Sequence, residues 1–137
     1  MKDSPPPDAG RAGPLPPDDI RSLADEAPIG VFRTDTEGRC LYTNRSWQAI
    51  YGLTFDESLG DGWTRGLHPE DREAVARQWL DDALKARPFD RVFRVCRGDG
   101  VVRHVRSRAW AVPGGFVGTV EDVTEVEQQA RQLRSTL

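Results

Sequence analysis

FDRVFRVCRGDGVVRHVRSRAWAVPGGFVGTVEDVTE, residues 89–125, is the stretch that decides the fold. Its β-branched and aromatic residues form two long runs, Phe89 to Arg97 and Val101 to Val112, parted by Gly98-Asp99-Gly100. A glycine pair around an aspartate supplies the backbone freedom that a tight hairpin turn needs. Pro113-Gly114-Gly115 turns the chain again, into a third run from Phe116 to Val123. Strands joined by such short loops are antiparallel neighbours. The pattern then changes: Val123, Val126, Ala130, Leu133 and Leu137 lie 3, 4, 3 and 4 apart, the a/d spacing of a coiled coil. The stretch therefore predicts three antiparallel strands whose last member passes directly into a helix. Thr124 is placed to cap that helix, with Glu127 completing a capping box.

On the N-terminal side, Pro88 closes a long helix that opens at His68-Pro69-Glu70-Asp71-Arg72. Proline and acids in a first turn suit a helix start, and His68 reads as its cap. Val75, Ala76, Trp79, Leu80, Ala83 and Leu84 make an apolar stripe at helical spacing, with Glu70-Asp71 and Asp81-Asp82 on solvent-facing turns. Phe55 to Gly66 reads as irregular and glycine-rich. Before it, Ile29 to Asp35 and Arg39 to Asn44 predict a hairpin through Thr36-Glu37-Gly38. Asn44 is placed to cap a short helix carrying Trp47, Ile50 and Tyr51, which Gly52 stops. Asp18 to Ala27 predicts a further helix, with Ile20, Leu23, Ala24 and Ala27 on one face and Pro28 at its end. Six of the 10 prolines fall in the first 17 positions, which cannot be helical and have little to bury. The expected division is a disordered Pro-rich lead over 1–17, a domain over 18–124 and a helical linker over 125–137.

The composition fits one globular domain: 137 residues, 37% hydrophobic and 30% charged. A net charge of -3 gives no general pull toward nucleic acid, and no stacking aromatics interleave with the strand arginines. No apolar run approaches a membrane span, no secretory signal is expected from the opening residues, and a cytoplasmic setting with reduced Cys40 and Cys96 follows. The carboxylates are scattered, the cysteines lack an evident base, and no metal-ligand spacing occurs, so no catalytic centre and no metal site are expected. His104 sits mid-strand among arginines, a half-exposed position from which it could report pH. Arg94, Arg106 and Arg108 are expected to pair with acids of the N-terminal helix, Asp18, Asp19, Asp25 and Glu26. An acidic partner and a solvated face are the alternatives. Trp47, Trp63, Trp79 and Trp110 read as core and lid residues.

Several local motifs, in this order and spacing, resemble the PAS domain family with a PAC-type second half, from about Leu23 to Glu125. They are Ala27-Pro28-Ile29-Gly30-Val31, Asp35-Thr36-Glu37-Gly38-Arg39, Tyr42-Thr43-Asn44, Tyr51-Gly52, Trp63 with His68 to Arg72, Phe93-Arg94 with Gly98-Asp99-Gly100, and Gly118 to Glu125. The resemblance implies an α+β fold: a five-stranded antiparallel sheet with helices packed on one face, flanked by N- and C-terminal helices. It implies a bacterial-type sensory and protein-interaction module, homodimeric through its terminal helices, that relays ligand or partner binding. Asp122, Val123 and Thr124 would be the relay, and Val126, Ala130, Leu133 and Leu137 the helix-pairing face. Phe32, Trp63, Val75 and Trp79 would line a cavity for a small-molecule ligand, the alternative being a filled aromatic core. Haem and covalent flavin are not implied: the long helix carries no pocket-facing histidine, and the flavin-attaching cysteine motif is absent. Val92 and His104 stand where the family often has Glu and Trp. Two other readings stay open, a small pocket enzyme of the isomerase or hydrolase kind and the N-terminal input piece of a larger sensor kinase or diguanylate cyclase.

Overall fold

The computed structural model describes residues 24–136. The proline-rich lead, Asp18, Asp19, most of the first predicted helix and Leu137 lie outside the described residues; Ala24 to Glu26 are helical. The elements then follow as β1 (Gly30–Thr34), β2 (Cys40–Thr43), α1 (Arg45–Tyr51), α2 (Phe55–Ser58), a 3-10 turn (Gly62–Gly66), α3 (Pro69–Leu84), β3 (Phe89–Cys96), β4 (Val102–Val112), β5 (Gly115–Asp122) and α4 (Thr124–Thr136). The order matches the sequence reading except between Phe55 and Gly66, expected to be irregular. There Thr54 and Glu57 form a reciprocal capping box around α2, a signal that the sequence analysis passed over.

The five strands form one antiparallel sheet in the order β2-β1-β5-β4-β3. The meander β3-β4-β5 and the hairpin β1-β2 meet where β5 pairs with β1, Gly30 to Thr34 lying against Val120 to Phe116. The last strand is thus the middle one. Edge strand β3 is not left open: the His68 N–H donates to the Arg94 carbonyl at 3.0 Å, and the Arg94 N–H donates to Asp71 Oδ2 at 2.9 Å.

One face of the sheet presents Phe32, Phe89, Phe93, Val105, Phe116 and Val120 to the core, and α1 and α3 cover it with Trp47, Tyr51, Val75, Trp79 and Ala83. Trp79 stands edge-on to Phe32, Phe89 and Phe116, and its indole N–H donates to the Gly38 carbonyl at 2.9 Å. Asn44, fully buried, does more than cap α1. Its Oδ1 accepts from the Trp47 N–H at 3.0 Å and the Val31 N–H at 2.8 Å, and its Nδ2 donates to the Ile29 carbonyl at 3.0 Å. One side chain therefore joins β1, α1 and the incoming segment.

Four expectations need correction. Leu80 and Leu84 are 50% and 65% exposed, so the buried apolar stripe of α3 is only Val75, Trp79 and Ala83, one narrow side of the helix. Trp110 is 47% exposed, because the strand alternation that buries Ala109 turns its neighbour outward. Asp82 is buried, not solvent-facing; Arg87 Nε reaches its Oδ1 at 3.0 Å. The strand arginines do not wait for N-terminal acids. Arg94 pairs with Asp71 at 2.7 Å, Arg106 with Asp90 at 2.7 Å and Arg108 with Glu121 at 2.8 Å, since cross-strand and edge neighbours already supply carboxylates within reach.

Candidate functional site

Phe32, Trp63, Val75 and Trp79 come together around a cavity of about 40 Å³ between the helices and the inner sheet face. Phe32 enters from β1, Val75 and Trp79 from α3, and Trp63 from the 3-10 turn. Beyond these four, the sequence reading has Trp47 as a core residue or pocket wall and misses the remainder. Trp47 and Tyr51 of α1, stacked with ring centroids 3.8 Å apart, Cys40 of β2 and Ser107 of β4 also line the cavity. The spacing of Trp47 and Tyr51, one helical turn apart, was the available signal. Ser107 was harder to see: a lone serine at an inward strand position looks like a surface residue until the register is known.

The wall is uncharged. Among the described residues no Asp, Glu, His, Lys or Arg lines it. Burial pushes the Cys40 thiol up to about 12 and raises the Tyr51 phenol well above its ordinary value, so both stay neutral near pH 7. Among the described residues no group of three or more His, Cys, Asp or Glu is placed to hold a metal ion, and no helix is long and apolar enough to cross a membrane.

The second feature is the passage from β5 into α4. Asp122 ends the strand, and its Oδ1 accepts from the Thr124 N–H at 3.0 Å and the Thr124 hydroxyl at 2.6 Å. Arg103 Nε donates to Asp122 Oδ2 at 2.7 Å. Burial pulls the Asp122 carboxyl upward, but the hydrogen bonds from Arg103 and Thr124 and the charge of Arg103 outweigh it and hold it low. The expected Thr124–Glu127 capping box is replaced: Asp122 serves the first turn as cap. Thr124, buried, turns sideways, and its Oγ1 accepts from the His104 N–H at 2.9 Å. The Val123 N–H donates to the His104 carbonyl at 2.8 Å. Val123 and Thr124, the two residues just past the strand end, are thus both bonded to β4, the strand that carries Ser107.

On α4, Val126 and Leu133 are 63% and 65% exposed and Ala130 is half-buried, so the described part of the helix-pairing face is turned outward. His104 is half-exposed, as expected, with its Nε2 3.4 Å from Arg131 Nη2. His68 caps α3 through Nδ1, which accepts from the Glu70 N–H at 3.1 Å.

Residues 40–120 match the family described as PAS fold. The chain is 32% identical over 121 residues to the uncharacterized protein y4lL of Sinorhizobium fredii, covering 84% of this chain and 14% of that protein. It is 25% identical over 127 residues to the C4-dicarboxylate transport sensor protein DctS of Rhodobacter capsulatus, covering 84% of this chain and 19% of that one. The chain therefore spans less than a fifth of the length of either curated relative. Among solved structures, a domain of the sensory box sensor histidine kinase/response regulator from Geobacter sulfurreducens superposes with a TM-score of 0.62 at 26% identity, over 76% of this chain and 91% of that one.

Proposed function

The chain belongs to the PAS fold family, and from that premise we propose that it is the input module of a cytoplasmic signalling protein: occupancy of the inner cavity, or contact with a partner, changes sheet packing, and Asp122, Val123 and Thr124 pass the change to α4. The observation that carries the reading is the bond between Thr124 Oγ1 and the His104 N–H. Ser107, on the cavity wall, lies three residues along the same strand, so a shift of β4 reaches the first turn of α4 through one short length of backbone. A relay of this kind requires an occupant that favours one of two arrangements.

The resemblance to part of a sensor protein favours a module that works within, or beside, a larger signalling assembly. The proposed division is a lead over 1–17, the sensing domain over 18–124 and an output helix over 125–137, with Val126, Ala130, Leu133 and Leu137 pairing two copies. The pocket-enzyme reading has less to stand on, because acid–base chemistry needs groups that change protonation near neutral pH and the ionisable groups of the wall, Cys40 and Tyr51, are held neutral by burial.

The test is amide hydrogen exchange along α4 in the full chain, with and without a cavity occupant. Protection of residues 124–136 should change on occupancy in the native sequence and stay constant in Thr124→Val. Equal responses in both would remove the relay.

A further inference from the structure

We propose that the cavity takes a neutral molecule of about three to four non-hydrogen atoms bearing a single hydroxyl or carbonyl, held by the hydroxyls of Ser107 and Tyr51. The inference rests on the reading of the cavity as a ligand site and goes beyond it by naming the class of ligand.

Size comes first. A water needs roughly 10–15 Å³ of such space, so about 40 Å³ admits about three water-sized groups in a row. That suits a short-chain alcohol, aldehyde or ketone and excludes a planar cofactor, for which several core side chains would have to leave.

Charge comes second. The wall is aromatic and aliphatic, and its ionisable members, Cys40 and Tyr51, are held neutral by burial. A carboxylate or an ammonium placed there would lose its hydration with no opposite charge in return. An isosteric neutral molecule loses far less.

The polar handles come third. Among the cavity hydroxyls, Thr34 already donates to the Asp35 carbonyl at 2.9 Å. The Trp79 N–H is committed to Gly38, and the Cys40 thiol to the Tyr42 carbonyl. Of the hydroxyls, Ser107 and Tyr51 remain, beside the indole N–H groups of Trp47 and Trp63 on the same wall. The two residues are 4% and 3% exposed and line the cavity, so their hydroxyls are the ones left to meet an occupant there. A hydroxyl facing an apolar cavity gains when an occupant offers it a hydrogen bond. One ligand oxygen, able both to donate and to accept, would satisfy either or both.

Affinity is bounded by size. At the best efficiency seen for very small ligands, four non-hydrogen atoms bind no tighter than about 40 μM, so millimolar dissociation constants are expected.

The experiment titrates the full chain with 1-propanol, propionate and propylammonium, which share a three-carbon chain and differ in charge. Binding is read from NMR shifts of the tryptophan indole N–H groups and the backbone amides. 1-Propanol should give saturable shifts at the Trp47, Trp63 and Trp79 indoles and at the Ser107 amide. The indole of Trp110, on the outer face, is the internal control and should not move. Propionate and propylammonium should bind at least tenfold more weakly. Ser107→Ala and Tyr51→Phe, each removing one hydroxyl, should weaken 1-propanol by roughly three- to tenfold.

Equal binding of a charged isostere would overturn the proposal. So would shifts that grow without saturation and include Trp110, or full affinity in both hydroxyl variants. Saturable 1-propanol binding with unchanged exchange along α4 would leave the ligand class standing and remove the relay. No binding, alongside a helix that answers another stimulus, would remove the ligand class and leave the relay.

Discussion

The backbone N–H of His104 donates to Oγ1 of Thr124 at 2.9 Å, so the first turn of the C-terminal helix is bonded sideways to a strand 20 residues earlier in the chain. Asp122 caps that turn from below, and the Thr124 hydroxyl closes the circuit by donating to the same carboxylate. The helix therefore cannot tilt about its own start without breaking a bond to β4 or to Asp122.

Thr124→Val keeps the shape of the side chain and deletes the acceptor. It leaves the part-buried His104 N–H without its partner, at a cost of about 1–3 kcal/mol. Denaturant unfolding should show that loss, and amide exchange should show it concentrated at His104 and the first turn of α4. Thr124→Ser keeps the oxygen and should recover most of it. A uniform loss across the sheet in both variants would mean that the hydroxyl has no special place in the junction.

Gly118 lies directly beneath the ring of Phe32. A Cβ there would sit 2.2 Å from Phe32 Cζ and 2.6 Å from the Arg108 carbonyl oxygen, far inside contact distance. Gly118→Ala must push Phe32 off the cavity wall, and overpacking of this kind costs about 1–3 kcal/mol. The melting temperature should fall, and the Trp79 indole resonance, edge-on to Phe32, should shift. An unchanged Trp79 signal with native stability would show that the ring has room to spare.

Much of this arrangement was legible in the sequence because local rules and the fold agree. The two glycine turns and the alternating strands predicted the meander, and Asn44 and Gly52 marked both ends of α1. Cavity residues from α3 and β1 could be named because bulky apolar residues at helical or alternate spacing must face the sheet. What stayed hidden depends on which strands are neighbours. The sequence shows Arg106 and Asp90 as unrelated charges sixteen residues apart; only the β3–β4 register, which sets Asp90 opposite Arg108 and diagonal to Arg106, brings them within reach. Trp110 looked like core by its size and is outside by its parity. Thr124 had the sequence of a cap, yet the nearby His104 N–H competes for its oxygen and Asp122 takes over the capping. Of the first predicted helix only its end, Ala24 to Glu26, falls within the described residues, and it is helical.

The Asp71–Arg94 pair sets a pH dependence. Asp71 Oδ2 accepts from both the backbone N–H and Nε of Arg94, and Oδ1 accepts from Nη2 at 2.7 Å. Those hydrogen bonds and the guanidinium charge outweigh burial and hold the Asp71 carboxyl below the usual carboxylate range. A group depressed in the native state binds its proton more readily unfolded, so its stabilisation is complete above the unfolded value of about 3.9 and fades as pH falls through the folded one. Urea midpoints measured from pH 7 downward should decline in that acid range. Asp71→Asn should lower stability at pH 7 by about 1–2 kcal/mol and flatten the decline. It should not abolish it, because Asp122 and Asp90 are depressed as well. Parallel curves for the two proteins would place the acid sensitivity elsewhere.

The outward face of α4 makes the last prediction. Val126 and Leu133 are each more than 60% exposed, seven residues apart on a helix of 13 residues, too short to hold its shape unaided in water. Its own domain covers another side of the helix, where Arg131 meets His104, and the exposure and seven-residue spacing of Val126 and Leu133 suit a two-heptad seam with a second copy. Light scattering should find a concentration-dependent dimer. Val126→Glu with Leu133→Glu would place four like charges along that seam, two from each copy, and should yield a monomer. Because both side chains are solvent-exposed within one chain, the doubly substituted protein should keep its sheet and its near-ultraviolet spectrum. A native chain that stays monomeric at high concentration removes the pairing, and a monomeric variant with a disordered core would show instead that these residues serve the domain itself.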